Sequence, residues 1–189
     1  MYIPLSYLSA AIIALILGGA NENQIFDQFI NEKEGNITTA YQDTKGIWTI
    51  CRGLTSINGR AIKANEKLTK QDCQHLNAIE RDKAIFWVKK NIHLTLTAPQ
   101  IVGIASFCPY NIGITKCISS TFYYELQRGN IEHACREISR WIFDNGKDCR
   151  KTRGAKNGCY GQVIRRNQEA ELLCGKISFP SNEMAVKNG

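Results

Sequence analysis

The chain has 189 residues, a formal net charge of +7 and eight cysteines. That length allows one domain with a real core, in one or two lobes. The basic balance favours an anionic partner, but Lys and Arg are spread out and no basic helix carries interleaved aromatics, which argues against nucleic acid and leaves weak steering towards an anionic polymer.

Residues 1–21 carry no charged side chain. Ile3 to Ala20 is apolar or small, diluted by Ser6, Ser9, Gly18 and Gly19. Eighteen helical residues reach roughly 27 Å, close to a hydrocarbon core. The segment reads as a cleaved signal peptide, with Gly18 and Ala20 at plausible cleavage positions, or as a signal-anchor that stays attached. No Lys or Arg precedes the apolar run, which counts against cleavage. With the eight cysteines, the segment points to export and an oxidising compartment.

Asn23 can cap a helix with Ile25, Phe26, Phe29 and Ile30 on one face. Gly35 suits the left-handed residue beyond it, so Glu34 is the last helical residue. Ala40, Tyr41 and Ile47 to Ile50 suit two strands, and Asp43-Thr44-Lys45-Gly46 the turn between them. Asp43 then stands at a strand end facing the helix end that carries Glu34. Two carboxyls across such a gap suit glycoside hydrolysis, where one protonates the leaving oxygen and the other steers water or attacks carbon. The plain alternative is a surface acid beside a turn former.

Arg52 to Lys67 reads as a loop or a ragged third strand. Thr69-Lys70-Gln71-Asp72 starts a helix running to Asn91, with Glu80-Arg81-Asp82-Lys83 on its solvated face. Thr97-Ala98-Pro99 starts another helix, with Ile101, Ile104, Ala105 and Phe107 in the core. Tyr110 and Asn111 precede Gly113, a turn residue, and on the plain reading pack a helix end. Thr121 to Gln127 is a short helix, and Ile131, Ala134, Ile138, Trp141 and Ile142 mark the next. Residues 144–158 read as a basic loop. Val163, Ala170, Leu172 and Leu173 carry the last helix, and the tail after Lys176 is loosely held.

Eight cysteines allow 105 pairings. Cys108 and Cys117 bracket one turn, and Cys149 and Cys159 bracket the basic loop. Cys51 on the second strand can reach Cys73 in the first turn of the long helix, leaving Cys135 with Cys174. A free Cys51 beside the acidic pair is the alternative. The cysteines lack the paired close spacing of a zinc site, and His75, His93 and His133 lie far apart, so no metal is expected.

Glu34, eight residues, Asp43, five residues, Thr49, within Glu-Gly-x4-Ala-Tyr-x-Asp-x2-Gly-x-Trp-Thr-Ile, resembles the phage-type lysozymes of glycoside hydrolase family 24, in particular endolysins of lambdoid phages. The likeness extends over most of the chain after residue 24, including Ser106 to Gly113 and Gly161 to Arg166. It implies an α+β, mainly helical fold, with a small β-hairpin lobe and a larger helical lobe joined by a long helix. It further implies Glu34 as general acid, Asp43 as the residue that positions water, Thr49 as its helper, and Tyr110 and Asn111 in the sugar cleft. Glu34 must hold its proton, so a partly apolar surrounding is expected for it.

The implied activity is hydrolysis of the β-1,4 bond between N-acetylmuramic acid and N-acetylglucosamine in bacterial peptidoglycan, by a monomer without cofactor, causing host lysis. A lytic transglycosylase and a non-catalytic, disulfide-rich wall-binding protein are the alternatives. The likeness also favours reading residues 1–21 as a signal-arrest-release anchor in the host inner membrane. A periplasmic catalytic domain over 22–176 and a tail over 177–189 come after it, and the enzyme later becomes soluble in the periplasm. Where relatives often read Gly-x-Gly-His after Thr-Ile, this chain has Cys51-Arg52-Gly53-Leu54.

Overall fold

The computed structural model describes residues 7–43 and 46–175. The start of the anchor reading, the Thr44-Lys45 centre of the predicted turn and the 177–189 tail lie outside the described residues.

The apolar N-terminal run holds a helix of eight residues, α1 (Ala10–Leu17), not one continuous rod. Ser9 caps it by accepting from the amide of Ile12, and Gly19 at φ 74° lies just beyond its end. Ile12 and Ile16, one turn apart, are buried in the same core as the following helix. Glu171 Oε2 accepts from the Tyr7 amide at 2.9 Å, and Gln168 Nε2 donates to the Tyr7 carbonyl at 2.6 Å. Among the described residues no helix is long and apolar enough to cross a membrane.

Helix α2 (Glu22–Glu34) starts one residue before the predicted cap, Asn23. Asn21 makes the cap, because Gln24 answers it reciprocally: each side chain accepts from the other's amide. Strands β1 (Ile37–Gln42) and β2 (Trp48–Cys51) pair antiparallel, Tyr41 opposite Thr49, with an irregularity between Ile37 and Tyr41.

The stretch expected as a loop or a ragged third strand holds a second hairpin, β3 (Ser56–Ile57) and β4 (Arg60–Ala61). Its turn is Asn58-Gly59, both at positive φ, the pairing that two-residue hairpins favour. The same chemistry at Asn145-Gly146 joins β5 (Phe143–Asp144) to β6 (Lys147–Asp148), inside the segment read as a basic loop.

Helix α3 (Lys70–Asn91) runs from the hairpins to the helical lobe. Its charge run is not wholly solvated: Arg81, 15% exposed, forms an ion pair with Asp27 of α2. Helix α4 (Ala98–Ala105) continues into a wide π-helical turn over Ser106–Ile112, followed by α5 (Ile114–Ile118) and α6 (Thr121–Gln127). Helix α7 (Ile131–Ile138) stops before Trp141 and Ile142, which lead into β5. A short 3-10 turn, Cys149–Thr152, precedes α8 (Tyr160–Cys174).

Helices α4 and α8 approach closely at Gly103, where a Cβ would stand 2.8 Å from the Glu169 carbonyl. The structure bonds Cys51 to Cys73, Cys108 to Cys117, Cys135 to Cys174 and Cys149 to Cys159. Cys51 is therefore not a free thiol.

Candidate active site

Gly35, at φ 64°, ends α2 and turns the chain into β1, which leaves Glu34 at the lip of a cleft between the lobes. Asp43 sits where β1 ends. Its amide donates to the Ile47 carbonyl at 2.9 Å, and its Oδ1 accepts from the Ile47 amide at 2.9 Å. A side-chain oxygen closing its own turn in this way is the usual reason for an Asp there. Thr49, buried on β2, donates its hydroxyl to the Ile47 carbonyl at 3.0 Å. The hairpin thus carries Asp43 and Thr49 on one rigid frame.

The opposite wall comes from the π-helical turn, a local widening that proteins often place at functional sites. Tyr110 donates its hydroxyl to the Arg52 carbonyl at 3.0 Å and meets Phe26 edge-on at 5.4 Å. Burial pushes its phenol up to about 12, with the charge of Glu34 adding to the shift. Burial likewise raises Tyr41, with Glu34 and Asp43 adding to it. Asn111 accepts from Arg166 Nη2 at 2.8 Å. Glu34, Asp43, Thr49, Tyr110 and Asn111 all line one cleft of about 610 Å³.

The apolar surrounding expected for Glu34 is not what the structure holds. Glu34 Oε1 pairs with Arg165 Nη1 from α8. Arg165 also contacts the fully buried Glu169 at 3.2 Å, and Arg166 contacts it at 2.9 Å. Ser106 donates to Glu169 at 2.6 Å. Burial works against the charge on Arg165, but Glu169 and then Glu34 outweigh it and hold that guanidinium above its ordinary value. For Arg166 burial dominates and lowers it. Breaking one member of such a buried set leaves an uncompensated charge, so it fixes geometry firmly.

A second clamp joins the lobes. Asp27 of α2 receives Arg52 at 3.0 Å and also pairs with Arg81 of α3. Sequence reasoning about single motifs missed Asp27, Glu169 and Ser106 as partners of the charged groups around the cleft. The detectable signal was Arg165-Arg166-x-x-Glu169, whose helical spacing brings both guanidiniums within reach of one carboxylate on the last helix. Among the described residues no group of His, Cys, Asp and Glu is gathered that could hold a metal ion.

Comparison with known proteins adds four findings. The phage lysozyme family matches residues 31–169. A SAR-endolysin of Escherichia phage N15 is 58% identical over 170 residues, covering 90% of this chain and 96% of that protein. A probable prophage lysozyme of Escherichia coli strain K12 is also 58% identical over 170 residues, covering 90% and 94%. Among solved structures, an endolysin from Escherichia coli O157:H7 phage FAHEc1 superposes with a TM-score of 0.66 at 26% identity, covering 82% of this chain and 92% of that one.

Proposed function

The chain belongs to the phage lysozyme family, and from that premise we propose that its cleft hydrolyses the β-1,4 bond from N-acetylmuramic acid to N-acetylglucosamine in peptidoglycan, with Glu34 as general acid. The observation that carries this is the shared cleft: Glu34, Asp43 and Thr49 face a glycan-sized space whose other wall is Tyr110 and Asn111.

Arg165 holds Glu34 Oε1, and Oε2 lies on the side of Gly53, where a Cβ would stand 3.7 Å from it. In the proposed mechanism Oε2 carries the proton and passes it to the glycosidic oxygen. Asp43 takes a proton from a water that Thr49 helps to orient, and that water attacks the anomeric carbon from the opposite face, inverting it. Asp43 and Thr49 give water a reason to be there, which favours hydrolysis over transglycosylation. Gly53 has no side chain, so it leaves the acid oxygen open to a sugar.

We further propose that residues 1–21 tether the enzyme to the host inner membrane until release, that residues 22–176 carry catalysis and that 177–189 form a tail. The SAR-endolysin name of the phage N15 relative supports the first part. The division is one of function rather than packing, because Ile12 and Ile16 share the core of α2. That shared core offers the apolar face of a released segment somewhere to go. An uncoupler that collapses the membrane potential should advance lysis; unchanged timing would count against the tether.

The test of catalysis is Glu34→Gln on purified murein. Turnover should fall by about 10² to 10⁴ with the unfolding transition retained, since general acid help is commonly worth that much. Mass spectrometry should find hydrated rather than anhydro sugar ends. Turnover within a few-fold of wild type would remove Glu34 from its role, and anhydro ends would replace hydrolase with transglycosylase.

A further inference from the structure

Among the described residues four that are not glycine adopt positive φ: Cys51 at 57°, Asn58 at 50°, Asn65 at 60° and Asn145 at 49°. Asparagine visits this left-handed region readily, because its short amide can hydrogen-bond locally. Cysteine has no such excuse. Cys51 is fully buried at the end of β2, and its sulfur is bonded to Cys73 in the first turn of α3, across a sequence separation of 22.

The residues just after Cys51 shape the cleft. The amide of Ile50 donates to the Leu54 carbonyl and the amide of Leu54 to the Ile50 carbonyl, both at 2.9 Å. These bonds close a turn over Cys51, Arg52 and Gly53, with Gly53 also at positive φ, 89°. That turn sends Arg52 to Asp27 on the helix that carries Glu34, offers the Arg52 carbonyl to Tyr110, and lays Gly53 beside Glu34 Oε2. Were Cys51 to relax to an ordinary strand conformation, the turn would open and all three contacts would shift together.

We propose that the Cys51–Cys73 bond is a positioning device for the reaction: it holds Cys51 in a backbone conformation that otherwise suits glycine, and so keeps the Arg52-Gly53 turn in register with Glu34. Cys51 and Cys73 touch no substrate and act through that turn. The bond therefore affects kcat more than KM, and glycine at position 51 makes it dispensable. This rests on Glu34 being the acid.

The experiment compares the full chain with C51S/C73S, C51G/C73S and C149S/C159S on purified murein, well below each protein's measured unfolding transition. C149S/C159S removes a bond remote from the turn and controls for general loss of stability. The C51S/C73S enzyme should lose about tenfold or more in kcat, the scale expected when a reacting group is misplaced by a fraction of its contact distance, with KM changed less than threefold. The C51G/C73S enzyme should return to within about threefold of wild type, and C149S/C159S should stay there.

Wild-type kcat in C51S/C73S, or a folded C51G/C73S as slow as C51S/C73S, overturns the proposal. If C51S/C73S does not fold, a folded and active C51G/C73S supports it. A C51G/C73S chain that also fails to fold overturns it, because the bond itself and not the backbone would then be what the structure needs. Absence of murein hydrolysis by the wild-type enzyme would instead defeat the functional reading and be told apart by that reference alone.

Discussion

In the helical lobe Phe107 lies edge-on to Phe122 at 4.7 Å and to Trp141 at 5.7 Å, with side chains from α1, α2, α3, α6, α7 and α8 closed around the same core. In the hairpin lobe the buried cluster is Ala40, Ile50, Cys51, Ile62 and Cys73. Each large buried side chain stabilises by about 1.5–3 kcal/mol relative to exposure, so the first lobe is held by its own packing and the second is not. The second leans on a disulfide and on polar contacts from the first: Arg52 to Asp27, Tyr110 to Arg52, and Asn77 Nδ2 to Asn36 Oδ1 at 3.2 Å. Glu34 and Asp43 lie on either side of that division, so the distance between them depends on how the weaker lobe is moored.

The largest expected effect comes from the charge set that fastens Glu34 to α8. Glu169→Ala should destabilise the protein by about 3–5 kcal/mol, because two buried guanidiniums lose their common partner. Denaturant unfolding checks the stability, and murein turnover should fall with it as Arg165 loses its hold on Glu34. A loss under 1 kcal/mol would mean that the packing alone holds α8 in place.

Ile62→Ala tests the other lobe. Removing one of its few buried side chains should cost about 2 kcal/mol, at the low end for such truncations because a small lobe can collapse around the gap. Hydrogen exchange should show the loss concentrated in residues 37–61. Uniform loss over both lobes would deny them separate local stability.

Gly103→Ala probes the contact between α4 and α8. Its Cβ would meet the Glu169 carbonyl at 2.8 Å and Leu172 Cβ at 3.1 Å. Backbone cannot swing aside as a side chain can, so a cost of about 1–3 kcal/mol is expected by thermal unfolding. A neutral outcome would show that the two helices can separate without penalty.

The smallest effect is a pH dependence at the seat of the N-terminal segment. Burial raises Glu171 above its ordinary 4.5, while the amides of Tyr7 and Leu8 pull the other way. A carboxyl raised on folding binds its proton more tightly in the native state. Its contribution is therefore present below about 4.5 and is lost as pH rises through the folded value. Glu171→Gln should remove that dependence and leave stability at neutral pH equal or up to about 1 kcal/mol higher, read from urea midpoints across pH 4 to 8. A clear loss at neutral pH would make the charged form the one the segment needs.

Much of this arrangement was open to reading in the linear chain. The apolar period of α2, the capping box at Thr69 and the Glu34, Asp43, Thr49 spacing depend on neighbours a few residues apart, where local backbone physics decides. The two short hairpins were equally local. Their Asn-Gly turns were present as a signal at 58–59 and 145–146, and charge and polarity in those stretches masked it. The end of α7 was misjudged because Trp141 and Ile142 continue the apolar period after the helix has stopped; they are drawn inward by the core, not by helical spacing.

What the amino-acid order determined alone was the spacing of Glu34, Asp43 and Thr49 and which family that spacing belongs to. Tertiary structure decided the rest: that Glu34 faces a guanidinium, that Asp27 gathers Arg52 and Arg81, and that Ile12 and Ile16 of the apolar leader lie in the domain's core. Arg165 lies 131 positions from Glu34. Pairing across such a separation depends on how whole helices pack, because burial penalises any charge whose partner is absent and local propensity carries no record of who that partner is.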